Sequence, residues 1–461
     1  MPGAFFMAIS TPELSTPAQP QFGWLERIHR QLQWRWQWRS SRSRFPRLTV
    51  VSQFFPPDFA ATGQLLDDLT VRLASDGLQV QVLTGMPAYA YNRSDASRIE
   101  FQRNRCIRRT NASRFWPQRV RGRAVNGILF CLRISLRLLR YSRRGDLILY
   151  TTEPPYLPLL GWLLHRLTRT PYMVLLYDLY PDVLVELGVL PDKNWLVRLW
   201  RKFNTWMFAD AQELIVLSEP MAERVRRWTP EVAHKIRVIV SWADPDRIRP
   251  RPKSDNWFVQ KHHLHHCFTV LYSGNQGRCH DLVTVLAAAL LLRHDPQVRF
   301  LFVGSGPQND RLRQLVHDWG LSNCLFLPYQ DLEDLPYSLA SADLALVTLS
   351  IEAEGLVAPS KLYGHLAAGT PIAAITPADS YLRQLVDTYG CGRWFANGDA
   401  DGLAGWIQQL KAEPAHARAC GAASRRLLER TATPQITAAQ YREAIWRHLP
   451  VEKLNEVPYF S

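Results

Sequence analysis

The residues best suited to chemistry lie in three short stretches. The first, Val270 to Leu282, reads VLYSGNQGRCHDL and runs from an apolar β-type stretch through glycines into a helix start. Glycines let backbone amides approach an anion closely, the first amides of a helix point at it, and a nearby cation completes the neutralisation. Ser273, Gly274, Asn275 and Gly277 would supply such a loop and Arg278 the charge, which together make a phosphate cradle. The same composition also builds a plain strand-to-helix turn, so context has to decide. The second stretch, EAEGLVAPSKLYGHLAAGTP from Glu352 to Pro371, places Glu352 and Glu354 ahead of Pro359, Ser360 and Lys361 at a helix start. Carboxylates and a lysine beside helix amides suit an anionic, hydroxyl-rich ligand, although Pro at the entry and AAGTP at the exit also serve as caps. The third group is Glu153, at the end of a predicted strand, with Asp178 and Asp182 in YDLYPD. Each can act as a base or position an acceptor, and each can equally cap the helix that follows it.

These groups need elements to hold them. From Leu48 the pattern is LTVVSQFF as a strand, PPDFAATGQ as a loop, Leu65 to Leu73 as a helix and LQVQVLT at 78–84 as a second strand, a parallel-sheet opening. A basic, less regular region follows. Ala124 to Tyr141 then reads as an amphipathic helix, and DLILYTT (146–152), YMVLLYD (172–178), ELIVLSE (213–219) and IRVIVSW (236–242) read as strands separated by helical stretches. ADPDRIRPRPKSDNW has the proline and charge of an interdomain linker. Beyond it a second alternating series begins with FTVLYSG and continues through VRFLFVGSG, CLFLPY, ADLALVTL and PIAAIT. The expectation is an α/β protein with two doubly wound domains and a ligand cleft at the carboxyl ends of both sheets. A last helix, Ile436 to Leu449, would dock back on the first domain through Tyr441 and Trp446.

Length and composition agree. A chain of 461 residues, 47% hydrophobic and 21% charged, is too long for one ordinary core and too apolar for disorder. The net charge of +14 is uneven: residues 1–145 hold 23 arginines, no lysine and eight acidic residues, so the remainder is near neutral. An arginine-rich half interleaved with tryptophan suits an anionic membrane or nucleic acid. Within it, Phe22 to Arg44 carries Trp24, Trp34, Trp36 and Trp38 among arginines, the composition of an interfacial helix; an apolar side docked on its own domain is the alternative. Seven cysteines without a CxxC pair argue for a reducing compartment and against a zinc site. The start MPGAFFMAIS does not read as a signal peptide, and no uncharged run reaches the roughly 18 residues of a spanning helix. Asp244-Pro-Asp246 and Asp399-Ala-Asp401 fit a DxD metal pattern but lie in turns, and His262, His263, His265 and His266 lie at a linker edge, so no metal is expected.

VLYSGNQGR, FVGSGP at 302–307 and GLVAPSKLYGHLAAGTP at 355–371, in that order, resemble the nucleotide-sugar domain of GT-B glycosyltransferases of family 4. The resemblance is greatest to bacterial enzymes that build exopolysaccharide and O-antigen repeat units, the colanic-acid and N-acetylfucosamine transferase type. SQFFPPDFAATGQ resembles that family's N-terminal glycine loop, and TTEPPYLPLL with YDLYPDVLVELGVL resembles matching segments of the subgroup, so the likeness spans about residues 47–445. It implies two Rossmann-like domains facing a cleft: an extension 1–44, an acceptor-side domain 45–245, a linker 246–262, a nucleotide-sugar domain 263–430 and a C-terminal segment 431–461 packing on the first domain. It implies hexosyl or N-acetylhexosaminyl transfer, with retention, from a nucleoside diphosphate sugar. That sugar is a donor substrate, and no cofactor is called for. Gly63 would sit near the donor diphosphate, with Ser273, Gly274, Asn275, Gly304, Ser360 and Lys361 also binding donor. Arg278, Glu354 and Glu153 would be catalytic and Asp178 and Asp182 acceptor-side. One departure stands out, since Gly364 occupies about the place of the family's second glutamate. The expected acceptor is a polyprenyl-linked glycan at an anionic membrane surface, on the cytoplasmic inner face, with no nucleic-acid partner. The rivals are a GT-B nucleotide-sugar epimerase and a non-catalytic nucleic-acid-binding protein exploiting the basic half.

Overall fold

The computed structural model describes residues 33, 34, 38 and 47–449, apart from 59, 88–95, 112–119 and 142–145. Most of the interfacial helix expected at 22–44 therefore lies outside the described residues. Trp38 does not, and it is buried.

The Val, Ile and Leu runs form parallel strands covered on both faces, as continuous apolar strands must be. In the first sheet these are β1 (Arg47–Val51), β2 (Gln79–Gly85), β3 (Ile99–Gln102), β4 (Arg105–Thr110), β5 (Asp146–Thr151), β6 (Tyr172–Leu176), β7 (Leu214–Val216) and β8 (Ile236–Val238). Their order is β3-β4-β2-β1-β5-β6-β7-β8, parallel throughout except for the β3–β4 pair. The second sheet comprises β9 (Phe268–Ser273), β10 (Val298–Val303), β11 (Cys324–Leu327), β12 (Leu344–Thr348), β13 (Ile372–Ile375) and β14 (Gly392–Phe395), in the order β11-β10-β9-β12-β13-β14. Both orders reverse beside their first strand, at β1/β5 and β9/β12. Open α/β sheets bind ligands outside the carboxyl ends of strands at such switch points.

Three local outcomes differ from the sequence reading. The basic stretch near residue 100 forms the β3–β4 hairpin, and β4 lies beside β2. Its arginines are buried yet paired: Arg105 donates to Asp67 Oδ1 at 2.6 Å and Thr70 Oγ1 at 2.9 Å, and Arg109 to Ser97 O and Pro56 O, both at 2.8 Å. The linker expected at 246–262 is shorter, because Trp257–Lys261 is a helix and Ile248, Phe258 and Val259 join the second core. The loop expected through PPDFAATGQ ends early, since the helix Ala61–Ser75 begins inside it. The closing helix Pro434–Trp446 buries Ala438, Tyr441 and Ile445 in the first core, with Tyr441 edge-on to Trp242 at 6.1 Å. Among the described residues no helix is long and apolar enough to cross a membrane.

Candidate active site

At the carboxyl end of β9 the chain leaves the sheet through Ser273 and Gly274, and at the end of β10 through Gly304. Gly274 (φ 133°) and Gly304 (φ 130°) both lie where side chains rarely fit. The two turns touch, because a Cβ on Gly304 would overlap Gly274 O. Gly274 N donates to Val303 O at 2.8 Å and Gln276 N to Ser305 O at 2.9 Å, which locks one turn on the other. Gln308 Nε2 then donates to Gly277 O at 2.6 Å and His280 O at 3.0 Å. Asn275 is exposed at the tip, its carbonyl accepting from Tyr272 OH at 2.6 Å.

Lys361 enters this cradle from the start of the helix Lys361–Ala367, where Ser360 is the N-terminal flanking residue. A Cβ on Gly274 would lie 3.3 Å from Lys361 Cε. The ammonium donates to Tyr272 OH at 2.6 Å, meets His280 Nε2 at 3.1 Å, and sits 4.1 Å from the centre of the Tyr272 ring. Burial holds its pKa well below the usual lysine value, and no carboxylate offsets that. Burial and the Lys361 charge likewise push His280 down to about 3, so its ring is neutral, with Nδ1 2.7 Å from Thr348 O. A half-buried lysine beside glycine-turn amides, with only neutral neighbours, is best held in its charged form by an anion bound there. Arg278, by contrast, is exposed, and Lys361 is the cation that packs against the Gly274 turn.

The two glutamates separate. Glu352 is exposed, while Glu354 is buried beside the start of the helix Tyr381–Tyr389. Burial pushes the Glu354 carboxyl up, partly offset by the nearby Ser380 hydroxyl and Tyr381 amide, and neither oxygen completes a hydrogen bond of good geometry. Its backbone carbonyl accepts from Arg224 Nη2 of the first domain at 2.8 Å. The position where a second glutamate was expected, Gly364, faces Leu339, whose Cδ1 lies 3.0 Å from a built Cβ.

Across the cleft, Glu153 follows β5. It does not cap the next helix, whose flanking residue is Tyr156. Instead its Oε2 accepts from Thr62 Oγ1 at 2.8 Å, and enclosure plus the charge of Asp178 push its pKa up to about 7. Asp178, after β6, is pushed up to about 6 by burial. It pairs as a backbone bridge with Val357, and Leu179 N donates to Leu356 O at 3.0 Å, so this edge touches the loop that leads to Lys361. Cys279 lies between the two sides, its thiol pushed up to about 12 by burial and then by Asp178. Gly63 is in the first turn of the Ala61–Ser75 helix, packed so closely on the loop before it that a Cβ would lie 3.0 Å from Phe55 Cα. Asp182 does not join this group. It is buried in an ion pair with Arg201, whose Nε lies 3.1 Å from Oδ1, and so anchors one helix to another.

The structure thus gathers Gly274, Gly304 and Lys361 on one wall and Gly63, Glu153 and Asp178 on the other. Thr62, Tyr272 and His280 were missed from sequence. Their signal was faint: a hydroxyl beside Gly63, and polar rings within an apolar strand and its following turn. The two DxD matches serve local structure, Asp244 Oδ1 accepting from Asp246 N at 2.8 Å in a turn and Asp399 Oδ1 from Gly402 N at 2.9 Å as the cap of the helix Ala400–Ala412.

Comparison with known proteins places this geometry. Residues 60–242 match the family described as glycosyl transferase 4-like domain, and residues 255–427 match glycosyl transferases group 1. The chain is 26% identical over 292 residues to the probable glycosyltransferase WbjE of Pseudomonas aeruginosa, covering 63% of this chain and 72% of that protein. It is 32% identical over 173 residues to WcaI of Escherichia coli, named for colanic acid biosynthesis, covering 37% and 41%. Among solved structures, sucrose-phosphate synthase from Thermosynechococcus elongatus superposes with a TM-score of 0.69 at 19% identity, over 87% of this chain and 98% of that one. HepE of Anabaena, in complex with UDP and glucose, superposes with a TM-score of 0.65 at 15% identity, over 87% and 100%. With a 4-like domain on one wall and a group 1 domain on the other, the chain belongs to the glycosyltransferases and has the GT-B fold.

Proposed function

We propose that this glycosyltransferase moves a sugar, with retention at the anomeric carbon, from a nucleoside diphosphate sugar to a polyprenyl-linked glycan during bacterial cell-surface polysaccharide synthesis. The observation that carries the reading is the half-buried Lys361, without a carboxylate partner, at the contact of two glycine turns. In transfer, the bond from the anomeric carbon to the diphosphate breaks as the acceptor oxygen bonds to that carbon. The charge that accumulates on the departing diphosphate falls beside Lys361 and the amides of the Gly274 and Gly304 turns, where preorganised donors are most effective. For retention the acceptor hydroxyl must bond to the anomeric carbon on the face from which the diphosphate leaves, passing its proton to a departing diphosphate oxygen. Glu153, held near the middle of the pH scale on the facing wall, is suited to orient that hydroxyl. Glu354 lies on the donor side, where its unsatisfied oxygens can accept from sugar hydroxyls. The polysaccharide role is supported by the name of WcaI, a colanic acid biosynthesis glycosyl transferase, and binding of UDP and glucose by the HepE complex supports the donor class.

The test is proton NMR of the product formed from UDP- and GDP-sugars with a lipid-linked acceptor extract. An anomeric coupling matching that of the donor supports the reading. Inversion, or epimerised free sugar nucleotide in place of glycoside, contradicts it.

A further inference from the structure

The helix Val120–Tyr141 is apolar on both faces. Phe130, Cys131, Ile134 and Leu138 point into the first core. Val125, Ile128, Leu132, Leu136 and Leu139, at helical spacing on the other side, are exposed, Leu136 by 70%. A surface helix normally turns charged and polar residues outward, and a continuous exposed apolar stripe marks an interaction site.

The stripe continues across its neighbours. This helix packs on Leu157–Thr168, which in turn packs on Trp195–Asp210. Leu163 and Leu167 are exposed on the second, and Trp195, Leu196 and Trp206 on the third. Trp162 stacks on Trp206 at 5.8 Å, with Arg166 5.5 Å from the Trp162 ring and Lys202 5.2 Å from the Trp206 ring. Across all three helices the one acidic residue is Asp210, which pairs with Arg166 at 2.9 Å, while Arg140, Arg198 and Lys202 are exposed. Leucines flanked by tryptophan and by cations, almost without acid, match an anionic lipid surface: acyl chains for the leucines, headgroup depth for the indoles, phosphates for the cations.

We infer that the first domain docks on an anionic bilayer through the outer face of this three-helix layer. The inference rests on the reading that the acceptor is lipid-linked, and adds a surface separate from the Trp-rich segment before residue 45. The layer also connects to the site. Tyr156 OH donates to Ala124 O at 2.5 Å, so the first turns of the docking helix touch the loop that carries Glu153. An acceptor held in the bilayer would therefore be presented beside the acceptor wall.

The experiment is co-sedimentation of the full chain with phosphatidylcholine vesicles, with and without about one third phosphatidylglycerol. The variants are Leu132→Gln/Leu136→Gln/Leu139→Gln, the single Leu136→Gln in case the triple fails to fold, Arg166→Gln/Lys202→Gln, and Trp24→Ser/Trp36→Ser in the N-terminal segment. Far-ultraviolet circular dichroism and nucleoside diphosphate binding report folding. The native chain should partition to the anionic vesicles, the triple leucine variant about tenfold more weakly and the single one measurably so, and the cation variant should lose only the anionic preference. Native partitioning by the folded leucine variants overturns the inference; if the Trp24→Ser/Trp36→Ser variant alone then loses binding, the lipid-linked reading survives it. No binding of the native chain to either vesicle sinks the membrane part of both. Unchanged partitioning with a shift from dimer to monomer in the leucine variants assigns the face to a second copy and also overturns it.

Discussion

Glu153 on one wall and Lys361 on the other are half-buried groups that enclosure shifts in opposite directions, Glu153 up and Lys361 down. Glu153 has its pKa raised from 4.5 to about 7, so between those values the folded chain keeps a proton that the unfolded chain releases. Stability from this group is therefore full below about pH 4.5 and is lost as pH rises through about 7. Glu153→Gln keeps the acceptor for Thr62 and removes the titration. Chemical denaturation should find it equal to the native chain near pH 4 and more stable near pH 8 by on the order of 2 kcal/mol, with transfer reduced. Equal stability at both pH values would show that the carboxyl is not held up. Of these two residues, Lys361 was legible in the sequence because a lysine after Pro-Ser opens a helix behind an acidic loop. Its contact with the Gly274 turn was not, since only the fold brings the helix start against that turn. Nor was the withdrawal of Asp182, which depends on Arg201 of another helix.

Among elements, the paired glycine turns are the most constrained. Gly304→Ala has to relieve both a φ of 130° and an overlap with Gly274 O, and should cost about 2 kcal/mol or more and abolish donor binding. Gly188→Ala is a fair comparison, because its φ of 67° is also positive but no atom lies within 4 Å of a built Cβ. It should cost about 1 kcal/mol and leave binding intact, which calorimetry and nucleotide titration can check. Most strands could be read from their apolar runs, yet the β3–β4 hairpin could not. RCIRRT looks like a solvated stretch until Asp67, Thr70 and the carbonyls of Ser97 and Pro56 are seen to take up its guanidinium protons. Pairing hides a buried strand from any pattern that counts only hydrophobic residues.

For the whole molecule, two alternating βα series foretold two sheets, and two doubly wound domains foretold a cleft at the carboxyl ends of their strands. Where the domains divide was less legible, because proline and charge between residues 243 and 257 mark a break in pattern whereas Ile248 and Phe258 already belong to the second core. The closing helix returns to the first core, so its packing and the donor cradle reside in different domains. Tyr441→Ala should thus lower stability by about 3 kcal/mol while nucleotide affinity stays within about twofold, measured by thermal melting and titration.

The account turns on a nucleoside diphosphate binding against Lys361. Titration calorimetry of UDP and of GDP into the full chain near neutral pH tests it most directly. One of them should bind, and Lys361→Ala should weaken that binding by about tenfold or more while the variant remains folded. Binding of neither, or equal binding by Lys361→Ala, would contradict the donor cradle.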